Sequence, residues 1–246
     1  MVIIKLDANG DYQVAWDPND ASVIALGKAY LAKEGTLLAA ERLKAPTLDE
    51  IQAALQLAII GLEASTTGEQ QRAEAATRFH NIMNEATPLL SVIIDRLKGK
   101  YATDLGTLKR WGLETKIGTR GKVSVAKPKT EAKWADFMGA YVRRETELPE
   151  AERIQDPPLA RLTALSSQAE ANREARRVGS IQRQTGTQTR STGAAPLLDL
   201  LQVACGLLVV TRFGGVVTEN LGEWGYKVVR RTSKPAEPPA PEPLQT

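Results

Sequence analysis

The 246-residue sequence predicts a mainly α protein: an up-down helical bundle with an internal two-fold repeat and a minor antiparallel β element. Three observations lead there. Aromatics make up only 5% of the chain, so a core must rest on Ala, Leu, Ile and Val, which suits helices packed closely on small residues. Apolar residues recur at helical spacing through most of the chain. The ending Leu108-x-x-Trp111-Gly112-Leu113 returns in the second half as Leu221-x-x-Trp224-Gly225-Tyr226, at an offset of 113 (224 − 111).

Residues 2–16, VIIKLDANGDYQVAW, alternate apolar and polar on both sides of Asn9-Gly10, a pair that supplies the positive φ angles of a tight turn. The expectation is a hairpin with strands at 2–7 and 11–16, filling an N-terminal element 1–17. Asp17-Pro18-Asn19-Asp20 then caps a helix at Asp20, and Val23, Leu26, Ala29, Tyr30 and Leu37 carry it to about Lys44. Thr47 and Glu50 form a capping box for the next helix, whose stripe is Ile51, Leu55, Ala58, Ile59 and Leu62. Ser65-Thr66-Thr67-Gly68 is expected to break it before a third helix over 69–86, and Pro88 to open a further one leading to Trp111-Gly112.

The second half repeats this ending. Pro196 opens PLLDLLQVAC as Pro88 opens PLLSVIIDRL, and the Trp follows at +28 in one copy (224 − 196) and +23 in the other (111 − 88). Gly after Trp stops a helix by taking the left-handed conformation that side chains resist. Leu and Trp three apart share one face and plug the bundle end. Trp111, Gly112, Trp224 and Gly225 therefore read as structural plugs, ahead of any binding role. GLETKIGTRGKVSVA alternates around Gly118–Gly121 as a short hairpin, and YKVVRRT reads as a strand that pairs with it or with the N-terminal hairpin. Residues 131–147 and 158–178 read as helices, 179–193 as a polar mobile loop, and the tail as polyproline-like. The domain reading is thus a first helical half 18–128, a second 129–232, and a Pro-rich tail 233–246.

Charge is uneven along the chain. From Lys98 to Lys133 there are ten basic residues against Asp104, Glu114 and Glu131, a balance of +7 (10 − 3), whereas the first 90 residues lean acidic. Lys109, Arg110, Lys116, Arg120, Lys122, Lys127 and Lys129 form the candidate basic contact surface, for a phosphate backbone or for the acidic part of a neighbouring subunit.

Chemistry-bearing motifs are scarce. His80 is the single histidine, which argues against histidine metal sites and His-based triads. Cys205, alone in VACGLLVV, reads as a buried structural thiol and argues against disulfides. Gly118-Thr-Arg-Gly-Lys122 lacks the spacing and following helix of a phosphate loop. The apolar run 197–210 is interrupted by Asp199 and Gln202 and is short for a bilayer span. With no signal-peptide pattern at the start, the expectation is a cytoplasmic protein without cofactor, metal, membrane partner or small-molecule substrate.

Two stretches resemble known patterns. GDYQVAWDPND is similar to a recurring Gly-Asp-x-x-Val-x-Trp-Asp-Pro hairpin of uncharacterised bacterial proteins. Pro46–Leu113, ending YATDLGTLKRWGL, resembles Ala-rich helical-hairpin proteins with a Tyr-x-x-Asp-x-x-x-Leu-x-x-Phe/Trp-Gly ending; Ala102 stands where those proteins have glycine after the tyrosine, and Trp111 where they have phenylalanine. The resemblance covers under half of the chain and implies a helical bundle with no activity to transfer. Together these readings predict a non-enzymatic structural or scaffold protein that self-associates into an oligomer or filament through the N-terminal hairpin or the C-terminal arm. A nucleic-acid-associated protein using segment 98–133 is the alternative.

Overall fold

The computed structural model describes residues 11–117 and 123–231. Strand β1 (Tyr12–Val14) leads into helix α1 (Asp20–Gly35) and the long helix α2 (Leu48–Lys100). A 3-10 turn (Leu105–Trp111) and strands β2 (Glu114–Ile117) and β3 (Val123–Ala126) follow. Helix α3 (Glu131–Thr146), a short 3-10 turn (Glu150–Glu152), the long helix α4 (Leu159–Arg212), a third 3-10 turn (Glu219–Trp224) and strand β4 (Val228–Arg230) come next. The protein is mainly α with a few short antiparallel strands.

Apart from the short turn Glu150–Glu152, the two halves of the sequence match element by element. The starts of α1 and α3 are related by an offset of 111 (131 − 20), and so are those of α2 and α4 (159 − 48). The core follows the same offset: Ile51 and Leu162, Ala58 and Ala169, Leu90 and Leu201, Ile94 and Cys205, Leu97 and Leu208 are buried pairs. In the sheets, Tyr12 pairs with Arg230 and Val14 with Val228, while Val123 pairs with Ile117 and Val125 with Thr115. Shifting β1 forward by 111 and β4 back by 113 converts the first ladder into the second.

The chain forms two compact units, one from residues up to Ala64 with those from Thr185 on, the other from Ser65 to Gln184. They cut across the sequence halves 18–128 and 129–232. In the first unit α1 and the start of α2 pack with the end of α4, Leu221, Trp224 and Tyr226. In the second, α3 and the start of α4 pack with the end of α2, Leu108, Trp111 and Leu113. Each unit therefore joins the leading part of one repeat to the Trp-Gly ending of the other.

Several sequence expectations are corrected. α2 runs unbroken through Ser65–Gly68 and Pro88, and α4 runs through 179–193 and Pro196. Gly68 is there for contact, since a Cβ on it would lie 2.4 Å from the Arg183 backbone nitrogen and 2.7 Å from the Gly179 oxygen. Gly179, Gly186 and Gly193 recur at every seventh position, and their backbones or oxygens lie against α2 around Gly68, Gly61 and Ala58 respectively. A seam of glycine holds α4 to α2 here, so this stretch is helical without an apolar stripe. Each proline removes one helical hydrogen bond, which the buried residues around it outweigh. The PLL match is also out of register: packing aligns Leu90 with Leu201, so Pro88 and Pro196 are not equivalent.

α1 ends at Gly35 rather than near Lys44, and its N-cap is Asn19, whose side chain accepts from Ala21 N at 2.9 Å. Arg42 explains the early stop by donating to the carbonyls of Leu37 and Gly35, both at 3.0 Å, which folds the chain back. The Thr47–Glu50 capping box forms as read. Of the N-terminal hairpin, the 2–7 arm lies outside the described residues, as do the 118–121 turn and the tail 233–246. The 11–16 arm holds β1, paired with β4. Over one 18-residue window α4 is long and apolar enough to cross a membrane, and half of that window is buried inside the protein.

Candidate functional site

The repeated ending sits on a 3-10 turn separate from the long helix, not at the helix end itself. In 3-10 geometry side chains three apart eclipse, which puts Leu108 over Trp111 and Leu221 over Trp224. All four are buried, with Trp111 1% and Trp224 5% exposed. Gly112 and Gly225 have φ of 83° and 86°. A Cβ at Gly112 would lie 2.6 Å from Ala140 Cβ on α3, and at Gly225 2.5 Å from Ala29 Cβ on α1. Glycine is required twice over, by conformation and by space.

Each unit also holds a buried carboxylate that the sequence reading missed. Glu34 on α1 is 1% exposed. It accepts Trp224 Nε1 at 2.7 Å, Leu43 N at 2.8 Å and Arg212 at 3.2 Å. Lys33 and Arg212 also flank the Trp224 ring at 5.3 and 5.2 Å. Glu145 on α3, fully buried, accepts the Ile154 backbone N–H. Arg153 donates to Leu148 O at 2.9 Å and Thr146 O at 3.1 Å, as Arg42 does in the first unit. The last cation of each long helix also has a matching role: Lys100 donates to Glu152 O at 2.8 Å and Arg212 to Glu41 O. Burial, then the neighbouring glutamate charge, pushes the phenols of Tyr30 and Tyr141 above their ordinary range. These carboxylates fasten the loop after a helix and leave no acceptor turned to solvent. The signal for them is a Glu with an Arg eight positions on and an apolar residue after it, present in both halves at the offset of 111 (145 − 34).

His80 is exposed, its Nδ1 on Glu131 and its Nε2 3.0 Å from Asn84 Nδ2. Cys205 is buried, and burial pushes its thiol up to about 12. Among the described residues no three His, Cys, Asp or Glu side chains are grouped to hold a metal.

The basic segment divides. Lys116, on β2, and Lys127 and Lys129, after β3, line one cleft of about 380 Å³ with Lys133, over a floor that includes Leu113 and Ala126. Two carboxylates share the wall, and both are paired: Glu114 with Lys133 and Asp136 with Arg173, each at 2.8 Å. The hydrogen bond from Lys133 holds the Glu114 carboxyl below its ordinary range. Arg110 instead borders a broader depression with Arg143 and Arg144, and Lys109 is exposed on the same turn. Arg120 and Lys122 lie outside the described residues. No protein-family model, curated protein or solved structure matches this chain.

Proposed function

We propose that the protein is a non-enzymatic structural component of the cytoplasm that self-associates through its repeats. The interleaving of the two repeats carries this reading. Every compact unit is closed by an ending from the other repeat, so the matching ending of a second chain offers the same surface. Closure between chains then yields a ring or, where it does not close, a filament. The strand ladders add to this, because among the described residues each sheet has two strands and each strand one unpaired edge.

The test uses the full-length chain. Two differently tagged preparations are unfolded together, refolded, and compared with a mixture of the two refolded separately. Light scattering should report a species larger than the monomer, and each tag should capture the other after joint refolding. A monomer at every concentration with no cross-capture overturns the reading.

A second reading, nucleic-acid association, is favoured by one observation: Lys116, Lys127 and Lys129 converge on a single cleft. Binding of that kind would weaken steeply with added salt. No binding to single-stranded or duplex DNA at about 50 mM salt removes it.

A further inference from the structure

The internal repeat supplies a control within one molecule. The same strand–helix corner is built twice, so a residue required by the fold should have a like counterpart. The cleft lysines do not. Lys127 and Lys129 correspond to Trp16 and Pro18 (127 − 16 and 129 − 18, both 111), and Lys133 to Ser22. Lys116 corresponds to Val229 and Leu113 to Tyr226, at the offset of 113 that relates the two Trp-Gly endings. In the first unit Trp16 packs edge-to-face on Tyr226 at 5.8 Å and belongs to the core periphery. In the second unit a lysine and a leucine replace that aromatic pair, and a cleft of about 380 Å³ stands at the corner.

From this we infer that the corner between β2, β3 and α3 is an anion site that takes a phosphate ester. The volume falls within the range of small-molecule pockets, roughly 300–1,000 Å³. Leu113, Ala126 and Pro128 give an apolar floor, while Lys116, Lys127 and Lys129 supply the charge. Both wall carboxylates are neutralised by Lys133 and Arg173, and Lys127 lies 3.9 Å from Asp95, a distant pairing that an incoming phosphate can displace. The sister corner shows that the fold forms without these three lysines.

The phosphate could belong to a free ester or to a nucleic-acid strand, and the test separates the two. The full-length protein is titrated calorimetrically with adenosine 5′-monophosphate, with a short oligothymidylate and with citrate, at about 50 mM salt so that charge terms are not screened away. Binding of the mononucleotide identifies a free ester as the source, and binding of the oligonucleotide alone identifies a strand. Lys129→Ala should weaken either about tenfold, the loss of one charge-assisted contact. Lys127→Trp, which restores the aromatic plug of the sister corner, should abolish binding while circular dichroism and melting stay close to wild type. Lys129→Ala alone decides the case if that larger change disturbs the fold. Absence of binding by both phosphate probes, equal binding of citrate, or affinity unchanged in Lys129→Ala overturns the assignment.

Discussion

Gly68 and Gly179, equivalent positions of the two repeats (179 − 68 = 111), lie against each other with reciprocal contacts. A Cβ on Gly68 would meet Gly179 O at 2.7 Å and Arg183 N at 2.4 Å; a Cβ on Gly179 would meet Gly68 O and Arg72 N, both at 2.8 Å. Because 72 and 183 are related by the same offset, the helix pair looks alike from either copy of the repeat. Two helices this close exclude even a methyl group.

The first prediction follows from that distance. In an exposed helix Gly→Ala stabilises by about 0.5–1 kcal/mol. At Gly68 or Gly179 the sign should reverse, with a loss of about 1–3 kcal/mol from overpacking against backbone. Gly99→Ala, where nothing lies within 4 Å, is the control and should be neutral or stabilising. Urea melts of the three variants check this. A Gly68→Ala protein more stable than wild type would show that the helices do not approach so closely.

The plugs predict a second result. Trp111→Ala or Trp224→Ala should each cost about 3–5 kcal/mol, the range for truncating a buried aromatic. Trp224→Phe isolates the hydrogen bond to Glu34 and should cost about 1–3 kcal/mol for the lost donor to a buried carboxylate. A double-mutant cycle with Glu34→Gln reads the coupling directly. Additive losses would mean that the indole and the carboxylate act independently.

Acid should destabilise the protein through its helix caps. Glu50 is held below its ordinary range, first by the Thr47 backbone N–H and then by the Thr47 hydroxyl. A depressed carboxyl contributes stability that is present above the unfolded value, about 4.3, and is lost as pH falls through the folded value. Glu69 and Glu174, lowered by hydrogen bonds from Arg72 and Arg177, act in the same direction. Melting temperature should fall as the solution is taken below that window, and Glu50→Gln should flatten part of the slope. An unchanged slope in the variant would remove the cap from the account.

Cys205 offers a check on the core. The thiolate is the reactive form, and burial among Leu201, Leu208 and Val209 suppresses it. A thiol reagent should label the folded protein only at the rate of unfolding and the denatured protein at once. Prompt native labelling would place Cys205 outside the core.

Interleaving predicts the behaviour of a cut chain. A protease site placed within 118–122 separates the repeats covalently, yet each unit still needs parts of both. The nicked protein should therefore elute as one particle and come apart only in denaturant. Fragments that separate under native conditions would contradict the interleaved architecture.

The helical class, the Thr47–Glu50 cap, the duplicated Trp-Gly stop and the short strands beside it are all legible in the sequence. Each rests on neighbours within a few positions, where spacing and backbone preference speak directly. Other features exist only in the folded chain. Gly68 and the polar stretch 179–193 look like breaks because Gly and Thr are poor helix formers, and only a facing backbone at under 3 Å makes them a packing seam. Leu43, the near partner of Glu34, falls within a local pattern, whereas Arg212 and Trp224 stand 178 and 190 residues away (212 − 34 and 224 − 34), beyond any such pattern. The exchange of endings between repeats is hidden for the same reason. A local sequence pattern records which apolar face a segment must bury, and it does not record which copy of a repeated partner will cover it.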